Sequence, residues 1–140
     1  MIRLTDLIAP AFYDLHWDIS EDRHTHYWLK GGRGSTKSSF ISVEIPLGMV
    51  QDKQANAICY RKFGNTLESS VYAQLIWAIE QLGIAEYWTI NKSPMRLTYR
   101  PTGQVVLFRG LDDPNKSKSI KLPHGYFKYI WFEEADQYDD

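Results

Sequence analysis

Apolar residues fall into short blocks separated by polar clusters, and the spacing within each block predicts its element. Leu67, Val71, Leu75, Ala78 and Leu82 recur at helical intervals. Asn65 is placed to cap that helix, Glu68 three residues on completes a capping-box-like pair, and Gly83 follows as a stop. Ala55 to Tyr60 is a short apolar run between the polar clusters Gln51 to Gln54 and Arg61-Lys62, which predicts an inner strand covered on both faces. Leu97 to Tyr99 and Val105 to Phe108 flank Pro101-Thr102-Gly103, which predicts a hairpin. Phe127 to Phe132 predicts a last strand that runs straight into Glu133 and Glu134.

The front of the chain is less regular. Phe12, Tyr13, Leu15 and Trp17 are interrupted by Asp14, His16 and Asp18, which suits a short helix or an irregular lead-in over residues 1–26. A strand is expected at His26 to Lys30, a Gly-rich turn at Gly31 to Gly34, and a helix opening near Lys37 with Phe40, Ile41, Val43 and Ile45 on its buried side. Pro46 removes a donor and collides with the carbonyl four residues back, so this helix is expected to kink or stop there. The order strand, turn, helix, strand, helix, hairpin, strand predicts an α/β domain over residues 27–140, with a mostly parallel sheet, right-handed crossovers and an inserted β-hairpin.

Composition narrows the class. The 140 residues are 44% hydrophobic and 24% charged, which excludes disorder, collagen and coiled coil. The net charge of -1 advertises no bulk attraction to nucleic acid or membrane, so such a partner would have to meet a local patch. No window approaches the roughly eighteen apolar residues of a membrane span. The single cysteine, Cys59, cannot support a disulfide framework, and it points to a buried strand position in a reducing compartment.

The chemistry sits at the two ends of the predicted domain. Gly31-Gly32-Arg33-Gly34-Ser35-Thr36-Lys37-Ser38 lies between a predicted strand and a predicted helix, the context of a phosphate-binding loop. Glycines let successive N–H groups converge on phosphate oxygens, and a helix N-terminus adds partial positive charge. Lys37 would reach the β- and γ-phosphates and the Ser38 hydroxyl would ligate Mg²⁺. Thr36 stands where the usual pattern has glycine, and the competing reading of the loop is a Gly-rich turn with an exposed lysine. At the other end Glu133 can contact Mg²⁺ directly or through water, and Glu134 can orient and deprotonate an attacking water. The competing reading there is an acidic, solvated strand end.

Together the loop Gly31 to Ser39, the segment Arg61-Lys62, Phe108-Arg109-Gly110-Leu111-Asp112-Asp113 and Ile130-Trp131-Phe132-Glu133-Glu134-Ala135 resemble the large subunit of a tailed-phage DNA-packaging terminase of the defective Bacillus prophage type. The resemblance runs from about Tyr27 onward. It implies a P-loop NTPase of RecA-like, ASCE-type fold, an ATP hydrolase using ATP and Mg²⁺. Implied nucleotide contacts are Gly31, Gly32, Arg33, Gly34, Ser35, Thr36, Lys37, Ser38 and Ser39, with Ser38 and Glu133 on the metal. Glu134 is implied as the catalytic carboxylate and Arg33 as a residue sensing or stabilising the γ-phosphate, a role suited to a permanently charged planar fork. Implied partners are double-stranded viral DNA, the portal protein, the small terminase subunit and further copies in a ring, in the host cytoplasm and without a membrane.

Two departures qualify the resemblance. Glu133 stands where most such enzymes carry Asp, which favours a water-mediated metal contact. The sequence stops six residues after Glu134, so it reads as the front part of a larger motor, with the rest of the ATPase sheet and a nuclease domain lying downstream. Alternatives are a helicase-like P-loop ATPase, or a catalytically silent nucleotide-binding fragment.

Several weaker signals have ordinary explanations. His24 and His26 with Asp22 and His16 suggest a metal site, against a solvated lead-in. Phe12, Tyr13 and Trp17 suggest an adenine platform, against packing. Arg61 and Arg109 suggest an arginine finger, against surface charge. Lys92, Arg96 and Arg100 with Trp88 and Tyr99 suggest a DNA-backbone contact, against a solvated hairpin face.

Overall fold

The computed structural model describes residues 12–20, 37–61, 63–112 and 122–133. Its helices are α1 (Tyr13–Ser20), α2 (Lys37–Gln51) and α3 (Ala73–Gln81). Its strands are β1 (Ala55–Arg61), β2 (Trp88–Lys92), β3 (Met95–Tyr99), β4 (Gln104–Gly110) and β5 (Tyr126–Phe132). They form one sheet in the order β2-β3-β4-β1-β5. The strand expected at residues 26–30 lies outside the described residues.

Among the described residues the sheet is mixed rather than mostly parallel. β1 pairs in parallel with both β4 and β5, whereas β2, β3 and β4 form an antiparallel meander. β4 therefore serves twice, as second arm of the expected hairpin and as a parallel neighbour of β1. β2 escapes the sequence pattern because only Trp88 of its five residues is buried.

One face of the sheet carries α2 and α3. Ile45 and Met49 of α2 and Leu75 and Ile79 of α3 pack with Ala57 and Cys59 of β1, Val106 and Phe108 of β4, and Trp131 of β5. A second cluster joins Phe40 and Val43 of α2 to Ala78 of α3, and α1 lies against it through Tyr13, Leu15 and Ile19. Ile58, Val105 and Leu107 form the smaller cluster on the opposite face.

α2 continues through Pro46 to Gln51 rather than stopping. Its end is held from outside: the buried Gln104 Nε2 lies within hydrogen-bond distance of the carbonyls of Met49 in the last turn (2.9 Å), Asp52 (2.8 Å) and Ala55 of β1 (2.6 Å). Such bonds satisfy the orphan carbonyls of a helix end. Asn56 closes the same edge, its Oδ1 accepting from the Val105 N–H (2.9 Å) and its Nδ2 donating to the His124 carbonyl (2.8 Å). Gly125, at φ 75°, presses against this network, and a Cβ there would lie 2.1 Å from the Gln54 carbonyl oxygen.

The helix expected from Asn65 begins differently. Residues Gly64–Thr66 form a 3₁₀ turn, Glu68–Tyr72 a π turn, and the α-helical part starts only at Ala73. No side chain caps the 3₁₀ turn from its flanking position Phe63. The Gly64 N–H instead donates to Asp112 Oδ1 at 2.9 Å, a tertiary bond across 48 positions of sequence. Gly83 ends α3 as expected, with φ 73°.

Candidate functional site

The parallel strands β1, β4 and β5 all finish at one edge of the sheet, at Arg61, Gly110 and Phe132. There the Glu133 N–H donates to the Tyr60 carbonyl at 3.0 Å, extending the ladder past β5. The Tyr60 and Phe132 rings stack beneath it with centroids 5.1 Å apart and planes 13° apart.

α2 runs against the direction of these strands. Only residues 52–54 separate its end from β1, and its Gly48 is so close to β5 that an added Cβ would meet the Tyr129 side chain. A fifteen-residue helix is about 22 Å long and a seven-residue strand about 23 Å, so a helix anchored at the amino edge begins above the carboxyl edge. Lys37 and Ser38 open α2 at the end where β5 delivers Glu133. The first turn is braced by α3, where Gln74 Nε2 donates to Ser39 Oγ at 3.3 Å, and Ser42 Oγ donates to the Ser39 carbonyl at 2.8 Å.

Glu133 also acts electrostatically across the edge. Burial pushes the Cys59 thiol well above its ordinary range, and the negative charge of Glu133 pushes it further. Cys59 is a free thiol fully buried in β1, as its apolar neighbours predict.

Of the other site residues read from sequence, Gly31, Gly32, Arg33, Gly34, Ser35, Thr36 and Glu134 lie outside the described residues, as do Asp22, His24 and His26. The described residues contain no group of three or more His, Cys, Asp or Glu side chains arranged to hold a metal ion. No helix among them is long and apolar enough to cross a membrane.

The weaker signals are largely absorbed by packing. Phe12 stacks on Phe40 of α2 (4.7 Å between centroids, 13° between planes), while Trp17 remains 60% exposed. His16 Nδ1 bonds the Glu44 carboxylate in a buried contact between α1 and α2. Burial holds the Glu44 carboxyl above the usual range, and the bond and charge of His16 pull it partly back. On the hairpin, Arg100 donates to the carbonyls of Trp88 and Glu86, Lys92 pairs with Glu68, and the Trp88 ring is buried against Tyr99. Arg109 donates to the Phe108 carbonyl at 2.8 Å.

The sequence reading missed the support beneath the edge. Gly110 lies under Gly64, where an added Cβ would come within 2.3 Å of the Gly64 nitrogen, and Asp112 holds the Gly64 N–H. Both residues belong to the quoted segment Phe108 to Asp113, whose Gly and Asp were the available signal.

Helices on one face of a five-stranded sheet define an α/β protein, and the candidate site is the end where the parallel strands β1, β4 and β5 finish. The family model described as phage terminase large subunit matches residues 23–140, and the chain belongs to that family. It is 39% identical over 137 residues to the "Terminase, large subunit" of Bacillus phage SPP1, covering 98% of this chain and 32% of that protein. It is 31% identical over 132 residues to the "PBSX phage terminase large subunit" of Bacillus subtilis (strain 168), covering 93% of this chain and 28% of that protein. The chain thus spans about a third of the length of these curated relatives.

Proposed function

We infer that this chain is the ATP-binding and hydrolysing motor portion of a phage terminase large subunit, the part that powers packaging of viral DNA into the procapsid. The observation that carries the reading is the shared edge: α2 opens with Lys37 and Ser38 at the end of the sheet where β5 runs into Glu133. The donor set fits Mg²⁺, because a serine hydroxyl and a carboxylate are hard oxygen ligands.

In this reading Gly31 to Ser39 cradle the phosphates of ATP through backbone N–H groups, and Lys37 neutralises their charge. Ser38 and Glu133 hold Mg²⁺, which supplies charge neutralisation when bound. Arg33 contacts the γ-phosphate, and Glu134 takes the proton from the attacking water. Double-stranded viral DNA, the portal protein, the small terminase subunit and further copies in a ring are the partners, in the host cytoplasm. RecA-like topology is part of the same proposal. It receives support from the parallel core of β4, β1 and β5 with α2 entering at their carboxyl ends.

The test is Mg-ATP binding and turnover by the native polypeptide that carries this sequence, with Lys37→Ala and Glu134→Gln. Lys37→Ala should abolish binding, and Glu134→Gln should retain binding while losing turnover. Hydrolysis unaffected by either change would sink the reading.

A further inference from the structure

The carboxyl edge contains a second piece of machinery beside the helix start and the acidic strand end. β1 lies between β4 and β5, so the residue that follows Tyr60 stands between Gly110 on one side and the chain leaving Phe132 on the other. Tyr60 pairs with Phe132, and the next positions along the two strands are Arg61 and Glu133. Strand alternation puts Arg61 on the side of Cys59, the side that α2 covers.

Past Arg61 the chain must turn sharply, and three features hold that turn against β4. The Leu111 N–H donates to the Arg61 carbonyl at 2.8 Å. The Gly64 N–H donates to Asp112 Oδ1 at 2.9 Å. Gly110 has no side chain because a Cβ would lie 2.3 Å from the Gly64 nitrogen and 2.4 Å from its Cα, both backbone atoms that cannot swing aside. Leu67, at the far end of the turn, is buried in the main core, so the segment is pinned at both ends.

A carboxylate accepting the first N–H of a turn acts as a cap, and here the cap is supplied by a residue just after β4 instead of by the adjoining sequence. That arrangement makes the position of Arg61 depend on β4. Arg61 and Glu133 follow a paired position on neighbouring strands, and at an edge read as the phosphate site the placement of such an arginine matters to within an ångström, since a small displacement of a positioning group costs rate without costing the fold.

We propose that Asp112 is a positioning residue for the nucleotide chemistry: by accepting the Gly64 N–H it locks the turn after Arg61 to β4 and keeps that guanidinium beside Glu133 at the carboxyl edge. This rests on the reading of the chain as a nucleoside triphosphatase. Asp112 contacts neither nucleotide nor metal in this scheme and acts through Arg61.

The experiment measures Mg-ATP turnover by the native polypeptide that carries this sequence, with Asp112→Ala, Asp112→Asn, Arg61→Lys and the double variant Asp112→Ala/Arg61→Lys. Losing a hydrogen bond to a charged group should lower kcat/KM by about tenfold in Asp112→Ala. Asp112→Asn keeps an acceptor oxygen and should stay within about twofold of wild type. The double variant should be no worse than Arg61→Lys alone, because the cap has nothing left to position. Melting curves for all four report folding separately, and a purely structural cap would lower the midpoint of Asp112→Ala while its effect on kcat/KM added in full to that of Arg61→Lys. Full additivity, or wild-type turnover in Asp112→Ala, overturns the positioning role. A wild type that hydrolyses no ATP overturns the triphosphatase reading itself, and the role with it.

Discussion

Replacing Gln104 with Met tests how the amino edge of the sheet is closed. Gln104 is fully buried, and its Nε2 lies within bonding distance of three carbonyls, those of Met49 and Ala55 at buried contacts and that of Asp52 at a partly buried one. Its Oε1 accepts the Thr102 hydroxyl at 2.6 Å. Methionine conserves length and approximate volume, so the change removes polarity without opening a large cavity. The Asp52 carbonyl keeps the Ala55 N–H, but those of Met49 and Ala55 lose the Gln104 donor at buried contacts. Each buried, unpaired acceptor costs about 1–3 kcal/mol, so a loss of about 3 kcal/mol in unfolding free energy is expected. For a domain of this size that is about 10 °C in melting temperature. Denaturant unfolding followed by circular dichroism measures it, with the m-value checked for constancy. Gln104→Glu should be worse at neutral pH, because it sets a carboxylate against carbonyl oxygens, and should recover part of the loss in acid. A Gln104→Met loss below about 1 kcal/mol at unchanged m would refute the claim that this amide holds the end of α2 to β4.

Two other tests follow from ionisable groups. The raised Glu44 pKa means that the folded state holds the proton more tightly than the unfolded chain. Its contribution is therefore fully present below the unfolded value of 4.5 and is lost as pH rises through the folded value. Unfolding free energies measured from pH 4 upward should show that decline in wild type and a flatter profile in Glu44→Gln, and superimposable profiles would contradict it. Cys59, buried and facing the charge of Glu133, should react with a maleimide only as fast as the protein opens; labelling of the native protein at the rate of a free thiol would show the site to be accessible.

Much of the fold is legible in the sequence where burial is symmetric or a turn is chemically marked. Ala55 to Tyr60 reads as a strand because both of its faces are covered, and its first five residues are all buried. The β3–β4 hairpin is announced by Pro101-Thr102-Gly103, and Gly103 takes φ 80°. β2 carries no such mark, since an edge strand with one buried residue has no apolar period to detect. The mixed sheet is equally hidden, because β4 carries apolar residues that suit a hairpin arm and a parallel neighbour alike.

Local signals misled where distant residues hold the segment. Asn65 and Glu68 match a capping pair, yet the donor that opens the turn is satisfied by Asp112, and the helix starts eight residues after Asn65, at Ala73. Pro46 is expected to kink or stop α2, yet the helix runs on to Gln51 and the carbonyl of Met49 in its last turn is met by Gln104 from β4. In both cases the partner comes from β4 or from the residues just after it, and β4 joins the amino edge to the carboxyl edge. Its first residue bonds the last turn of α2, and the residues just after it hold the turn that follows Arg61. A phosphate loop can be recognised from glycines and a lysine because its chemistry is local. The framework that sets a helix start, a guanidinium and a carboxylate at one edge is built from contacts of high sequence separation, which no short pattern encodes.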